Sequence, residues 1–244
     1  MLKETYHLGS YWSMRKEEAT ACAQRTELFF HMLARRDESL TAWYRAGRVA
    51  RGMAGHPVNF HEREKIEELL KRGRNRTDLH KRVIEDLGFG FSVWTARPSA
   101  RSTTVRIRCG VYAEMMSNYC LLYPPREGET SERMLSIPAL VQMLTCMATA
   151  WDPDWGVVTS PQSRELIREE DQGTDVGWMT YFARRRGTVP PLPTPVRIEP
   201  VGTLGTLVIL TPERFTASNP EHIALGRRVR ALLQRSGLLQ HTPA

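Results

Sequence analysis

Residues 202–239 read GTLGTLVILTPERFTASNPEHIALGRRVRALLQRSGLL, and this stretch constrains the fold more than any other. Leu204–Leu210 is almost continuously apolar, so as a strand it needs cover on both faces and belongs inside a sheet. Ser218-Asn219-Pro220-Glu221 then opens a helix, either through a capping box from Ser218 or with Asn219 as cap and Pro220 in the first position. The predicted core stripe of that helix is Leu225, Val229, Leu232 and Leu233, and Gly226 on the same face implies close approach to the sheet. A doubly covered strand followed by an amphipathic helix demands a layered core of sheet and helices.

The remaining elements fit that demand. Tyr6–Trp12 reads as a short strand, and Lys16–Arg36 as a helix with Ala19, Cys22, Ala23, Thr26, Phe29, Phe30 and Leu33 along one face. Asp37–Phe60 reads as irregular, punctuated by Gly47, Gly52, Gly55 and Pro57. Glu62–Arg72 looks like a short charged helix stopped by Gly73. Phe89–Thr95, Thr103–Cys109 and Tyr119–Tyr123 are strand candidates, with Arg106 and Arg108 on a solvated face. Ser136-Ile137-Pro138 starts a helix whose stripe is Leu140, Leu144, Met147, Ala148 and Trp151, and Asp152-Pro153 ends it. Trp155–Thr159 is strand-like, Ser160-Pro161 caps another helix, and Gly177–Ala183 is a further strand candidate. Gly187–Pro195 (GTVPPLPTP) reads as a stiff polyproline crossover on the surface rather than an SH3-type ligand. The expected fold is α+β, a mostly antiparallel central sheet flanked by helices. No linker or internal repeat divides residues 1–244, so a single domain is expected.

At 244 residues, with 41% apolar and 25% charged residues, the chain can bury a sizeable core and lies outside the disordered class. No run approaches the roughly 18 apolar residues of a membrane span, and the start, MLKETYHLGSYW, lacks the apolar core of a signal peptide. A soluble, cytoplasmic protein without a membrane partner is expected. Cys22, Cys109, Cys120 and Cys146 form no C-x-x-C pair and suit a reduced compartment, where cysteine packs as a small hydrophobe. The net charge of +7 is segregated. Between Asp152 and Asp175 seven acids (Asp152, Asp154, Glu165, Glu169, Glu170, Asp171 and Asp175) face only Arg164 and Arg168, a local balance of −5. From Val176 to Arg235 nine arginines face three glutamates, a balance of +6.

Recognisable chemistry is missing. His61-Glu62 begins like a zinc-protease signature, but Lys65 stands where the second histidine belongs. His56 and His61 lie five apart in a loop, where solvated or locally bonded histidines are the norm. Gly47–Gly52 has phosphate-loop spacing, yet Met53 replaces the lysine. Gly88-Phe89-Gly90 runs into a strand where a dinucleotide fingerprint needs a helix. No nucleophile elbow is present. No catalytic residue, cofactor or metal site is therefore expected. Asp152 and Asp154 flank a proline at a turn, where aspartate is at home. Glu169-Glu170-Asp171 stands at a predicted helix C-terminus, where the dipole disfavours anions, and this hints at a basic partner. The arginines of the last helix, Arg227, Arg228, Arg230 and Arg235, and the run Arg184–Arg186 lack interleaved aromatics that would stack bases.

Several strings taken together resemble a known family. They are YHLGSYWSMRKE, GRNR (Gly73–Arg76), VIEDLGF (Val83–Phe89), IRCG (Ile107–Gly110), AWDPDWGVVTS (Ala150–Ser160), VGWMTY (Val176–Tyr181) and LGTLVILT with ERFTASNPEHIALGRRVRALL. In order and spacing they are similar to the immunity protein 52 family of bacterial polymorphic toxin systems, from about Thr5 to Leu239. The resemblance implies a cytoplasmic protein that neutralises a cognate toxin by binding it. It implies further that the toxin carries a restriction-endonuclease-like DNase domain, often delivered by type VI secretion. On this reading the mechanism is stoichiometric steric and electrostatic occlusion. Asp152, Asp154, Glu165, Glu169, Glu170, Asp171 and Asp175 would face basic or metal-binding toxin residues, and an exposed Trp178 would serve as anchor. Two other classes compete: a nucleic-acid-binding protein using the Arg-rich C-terminal helix, and an enzyme that reverses the toxin's damage or modifies a small molecule. The sequence leaves the oligomeric state open.

Overall fold

Gly73 shows how tightly the first half of the chain is drawn together. A Cβ on it would stand 1.8 Å from the Gly90 carbonyl oxygen, so a helix end can lie directly against a strand only because position 73 has no side chain. The computed structural model describes residues 4–45, 55–95, 99–114, 116–168 and 173–240. Among them are ten strands and six α-helices, and the backbone divides mainly into two compact units, Trp12–Glu132 and the segments Met1–Tyr11 with Arg133–Pro243. The crossings between the units fall inside a strand, His7–Trp12, and a helix, Glu129–Met134, so no linker composition marks them.

In the unit Trp12–Glu132, α1 (Ala19–Ala34) buries the seven residues of its expected stripe, although it begins three residues later than the spacing suggests. The Glu27 carboxylate accepts from Arg63 Nη2 of α2 (Arg63–Arg72) at 2.6 Å. Phe30 stacks on Phe60 with ring centroids 3.6 Å apart and meets Trp43 edge-on at 5.1 Å. The expected irregular stretch Asp37–Phe60 instead contributes β2 (Trp43–Arg45) and β3 (His56–Val58), an antiparallel pair too short to show periodicity. Gly47 and Gly52 lie outside the described residues. β4 (Phe89–Trp94), β5 (Thr104–Cys109) and β6 (Asn118–Tyr123) complete an antiparallel set in the order β3-β2-β4-β5-β6. Arg106 and Arg108 lie on its wetter face, over the rings of Tyr123 and Tyr119. Cys22, Cys109 and Cys120 are buried free thiols, and the hydrogen bond to Cys22 together with burial raises the Cys109 pKa well above the usual thiol value.

In the other unit the order is β1-β7-β8-β10-β9, again antiparallel throughout. These strands are β1 (His7–Trp12), β7 (Trp155–Thr159), β8 (Met179–Ala183), β9 (Arg197–Val201) and β10 (Gly205–Ile209). β10 lies between β8 and β9 and is buried along Leu207–Leu210, as its unbroken apolar run requires. β9 is largely exposed and carries Pro200, which suits its edge position, and nothing in its composition announced it. α4 (Ile137–Trp151) buries its whole expected stripe. α6 (Pro220–Arg235) is capped by Asn219, whose side chain accepts from the Glu221 N–H, with Pro220 in the first turn. Two expectations for α6 change. Leu225 and Leu232 are only partly covered, while His222, Ile223 and Arg230 are buried. Gly226 meets a helix and not the sheet: a Cβ there would lie 2.6 Å from Ile167 Cδ1 of α5 (Pro161–Ile167).

Candidate functional site

The acidic segment begins where α4 ends. Pro153 disfavours helical geometry in the residue before it, and Asp152 turns out of the helix in the left-handed region at φ 45°. The next turn points both carboxylates at one arginine. Arg185, in the 3₁₀ turn Arg184–Arg186 that follows β8, donates from Nε to Asp154 Oδ1 (2.9 Å), from Nη1 to Asp152 Oδ1 (2.8 Å) and from Nη2 to the Asp152 carbonyl (3.0 Å). Asp154 is further fixed by its backbone, donating to the Tyr11 carbonyl and accepting from the Ala183 N–H. Its side chain is only 5% exposed, so it is unavailable to a partner protein. Asp152 remains on the surface; burial, helped by the Asp152 charge, pushes the pKa of the neighbouring Tyr181 hydroxyl up to about 12.

Asp175 is likewise turned inward. Its carboxylate is within 3.9 Å of Arg164 Nη1 and 3.8 Å of Arg168 Nε, and burial raises its pKa against the opposing pull of Arg164, Arg168 and Arg230. Arg230 of α6 is 5% exposed and donates to the Thr174 carbonyl at 3.4 Å. Glu165 stands exposed on α5. Glu169, Glu170 and Asp171 lie outside the described residues. Trp178 corrects the expectation of an exposed anchor. It is 2% exposed, donates from Nε1 to the Thr211 carbonyl (3.1 Å) and meets Tyr6 edge-on at 6.0 Å. The signal against exposure lay in its neighbours, because Val176–Ala183 is nearly unbroken apolar sequence and such runs are covered on both sides. Of the expected contact residues that are described, Asp152 and Glu165 stay outside, Asp175 is half-buried against its arginines, and Asp154 and Trp178 belong to the interior.

The most specific strings prove to be self-tying turns. In ERFTASNPEH, His222 Nδ1 accepts from the Thr216 N–H (2.9 Å), which leaves the ring proton on Nε2 to be donated to Glu213 Oε1 at 3.0 Å. The His222 ring stacks on Phe215. Glu4 closes the neighbouring turn by accepting from Ser160 Oγ, Ser163 Oγ and the Ala217 N–H. In WDPDWG, Trp151 is buried and Trp155 stacks on Tyr11 at 4.3 Å. These residues hold backbone in place. Among the described residues no group of three His, Cys, Asp or Glu side chains gathers as a metal would need, and no helix is long and apolar enough to cross a membrane.

Sequence reasoning passed over one surface feature. Between α2 and β4 the chain forms a projecting hairpin, pinned by antiparallel bridges Arg74–Phe89 and Arg76–Val83. Further up, the Thr77 N–H donates to the Arg82 carbonyl (2.9 Å), the Ile84 N–H to Asn75 (2.9 Å) and Arg76 Nη1 to the Lys81 carbonyl (3.0 Å). Lys81 adopts φ 52°, which closes the turn. At the tip Leu79 is 88% exposed, far beyond any other large apolar side chain described. The string GRNR thus has a purpose in the fold: Gly73 seats the root and Arg76 braces the tip. The available signal was a lone leucine inside the polar run NRTDLHKR.

Comparison with known proteins adds a likeness of fold and a family. One similar solved structure is the Pseudomonas aeruginosa T6SS protein PA0821, with 14% identity, 94% of this chain and 72% of that chain covered, and a TM-score of 0.55. At that identity the likeness concerns the fold. No curated protein sequence matches significantly. The family model described as immunity protein 52 matches residues 4–242. That span takes in both compact units and every one of the self-tied turns, and the chain belongs to the immunity protein 52 family.

Proposed function

We propose that this protein protects its cell by binding a cognate toxin in a stoichiometric complex, without turnover. The observation that carries the reading is the family match across residues 4–242. The likeness in fold to a protein named for type VI secretion supports a toxin delivered by that route. A restriction-endonuclease-like DNase is the toxin class that the family resemblance suggests, and the protector would then act in the cytoplasm. The side-chain geometry is consistent with binding rather than catalysis, since the clusters around Asp154, Glu4 and His222 satisfy one another internally. Of the acidic set, exposed Asp152 and Glu165 remain as contacts that would steer a basic toxin surface toward the complex.

The nucleic-acid reading through the last helix is weakened by the fate of its arginines. Arg230 is buried, and Arg227 Nε donates to the Leu166 carbonyl of α5 at 2.9 Å. Titration of toxin activity with the purified protein tests the proposal. Inhibition should end sharply at one equivalent and not deepen with time. Protection by far less than one equivalent would indicate turnover, and the absence of any complex would remove the reading altogether.

A further inference from the structure

We infer that the hairpin Asn75–Arg82 is a docking finger, whose Leu79 tip enters an apolar pocket rimmed by carboxylates on the toxin. This rests on the immunity reading and names the surface that reading lacks. Three observations converge on it. The first is exposure: every residue from Asn75 to Arg82 is exposed, and Leu79 presents nearly its whole side chain to water at the point farthest from the hairpin's root. An apolar side chain held there contributes nothing to the core. The second is order, because the bridges and the Thr77, Asn75 and Arg76 hydrogen bonds fix the tip before any partner arrives. A pre-formed tip loses little conformational freedom on binding, which favours affinity.

The third is charge. Lys71 and Arg72 at the root are paired with Glu67 and Glu68 one helical turn earlier, and Arg74 faces Glu85 at 3.6 Å. Arg76, Lys81 and Arg82, which flank the tip, make no ion pair among the described residues, and Asp78 is the sole acid between them. An apolar point ringed by unpaired cations matches an apolar pocket with an acidic rim. Nucleic acid is the poorer fit. Phosphate contacts need cations but gain nothing from an extended leucine, and the finger holds no Phe, Tyr or Trp to stack a base.

The test uses the protein against its cognate toxin domain, with affinity measured by calorimetry and rates by surface binding. Leu79→Ala should weaken the complex about 10-fold, in line with the transfer of one leucine side chain from water. Leu79→Asp should weaken it at least about 100-fold, because a carboxylate would meet the acidic rim. Lys81→Gln with Arg82→Gln should slow association and flatten its salt dependence while Leu79→Met binds as the parent does. Leu79 is surface-exposed, so its variants should retain the parent's circular dichroism and melting behaviour. If the parent binds and Leu79→Asp binds equally well, the finger is not the docking element while the immunity reading stands. Failure of the parent itself to bind counts against that reading. A 20-base-pair duplex bound by the parent and lost in the Lys81/Arg82 variant, with toxin capture unchanged, overturns the proposal in favour of DNA.

Discussion

The acidic segment Asp152–Asp175 and the basic hairpin Asn75–Arg82 each carry an excess of one charge, yet the fold uses them in opposite ways. In the acidic run, Asp154 and Asp175 are drawn inward onto Arg185, Arg164 and Arg168, and the segment becomes a clamp inside its own unit. In the hairpin, Arg76, Lys81 and Arg82 point their charge at solvent around an exposed leucine. Charge density along a chain therefore says little about contact surface. What matters is whether the fold supplies internal counter-charges, and it does so for one run only.

That contrast can be broken by separating stability from association. The largest effect on stability should come from Arg185→Ala, which leaves the Asp154 carboxylate buried without its main donor. A loss of about 3 kcal/mol in urea unfolding is expected, at the low end of buried-pair disruption because Arg185 itself is partly exposed. Dissociation of the toxin from the folded molecule should not change, since the freed Asp152 charge acts only on the rate of encounter. Leu79→Asp should show the reverse pattern, with the affinity loss given above and a stability change within about 0.5 kcal/mol. If the two variants behaved alike in both measurements, the division between clamp and finger would fail. Glu165→Lys sharpens the comparison further. As an exposed rim charge it should alter the association rate about threefold, and only at low salt, while leaving dissociation unchanged.

The last prediction concerns pH and His7, which feels the charge of Arg164. Burial first, and the Arg164 charge second, lower its pKa to about 4 from 6.5. The folded state thus resists a proton that the unfolded chain accepts. Stability should be full above pH 6.5, fall as the pH drops, and stop falling from this cause near pH 4. His7→Gln should flatten that part of a stability profile measured between pH 7 and 4. An unaltered slope would mean that His7 is not held neutral by the fold.

Much of the fold was legible because local patterns and tertiary needs agreed. The seven buried residues of α1, the stripe of α4 and the Asn219-Pro220 start of α6 follow from spacing and capping alone. Strands β2, β3 and β9 were not legible, since three-residue strands and a polar edge strand carry no period. The candidate contacts fared worse. Trp178 was expected outside on residue type, whereas its apolar neighbours placed it in the core.

The sequence by itself determined the secondary elements with strong periodicity, the antiparallel α+β class and the family, because these rest on interactions between residues near in the chain or on strings of fixed spacing. Only the tertiary structure decided which charges are spent internally and which face outward. Arg185 reaches Asp152 from 33 positions away, and Arg230 reaches Thr174 from 56. A carboxylate's partner at such separations is chosen by how strands and helices pack, and a lone leucine becomes conspicuous only once the hairpin beneath it has lifted it clear of the core.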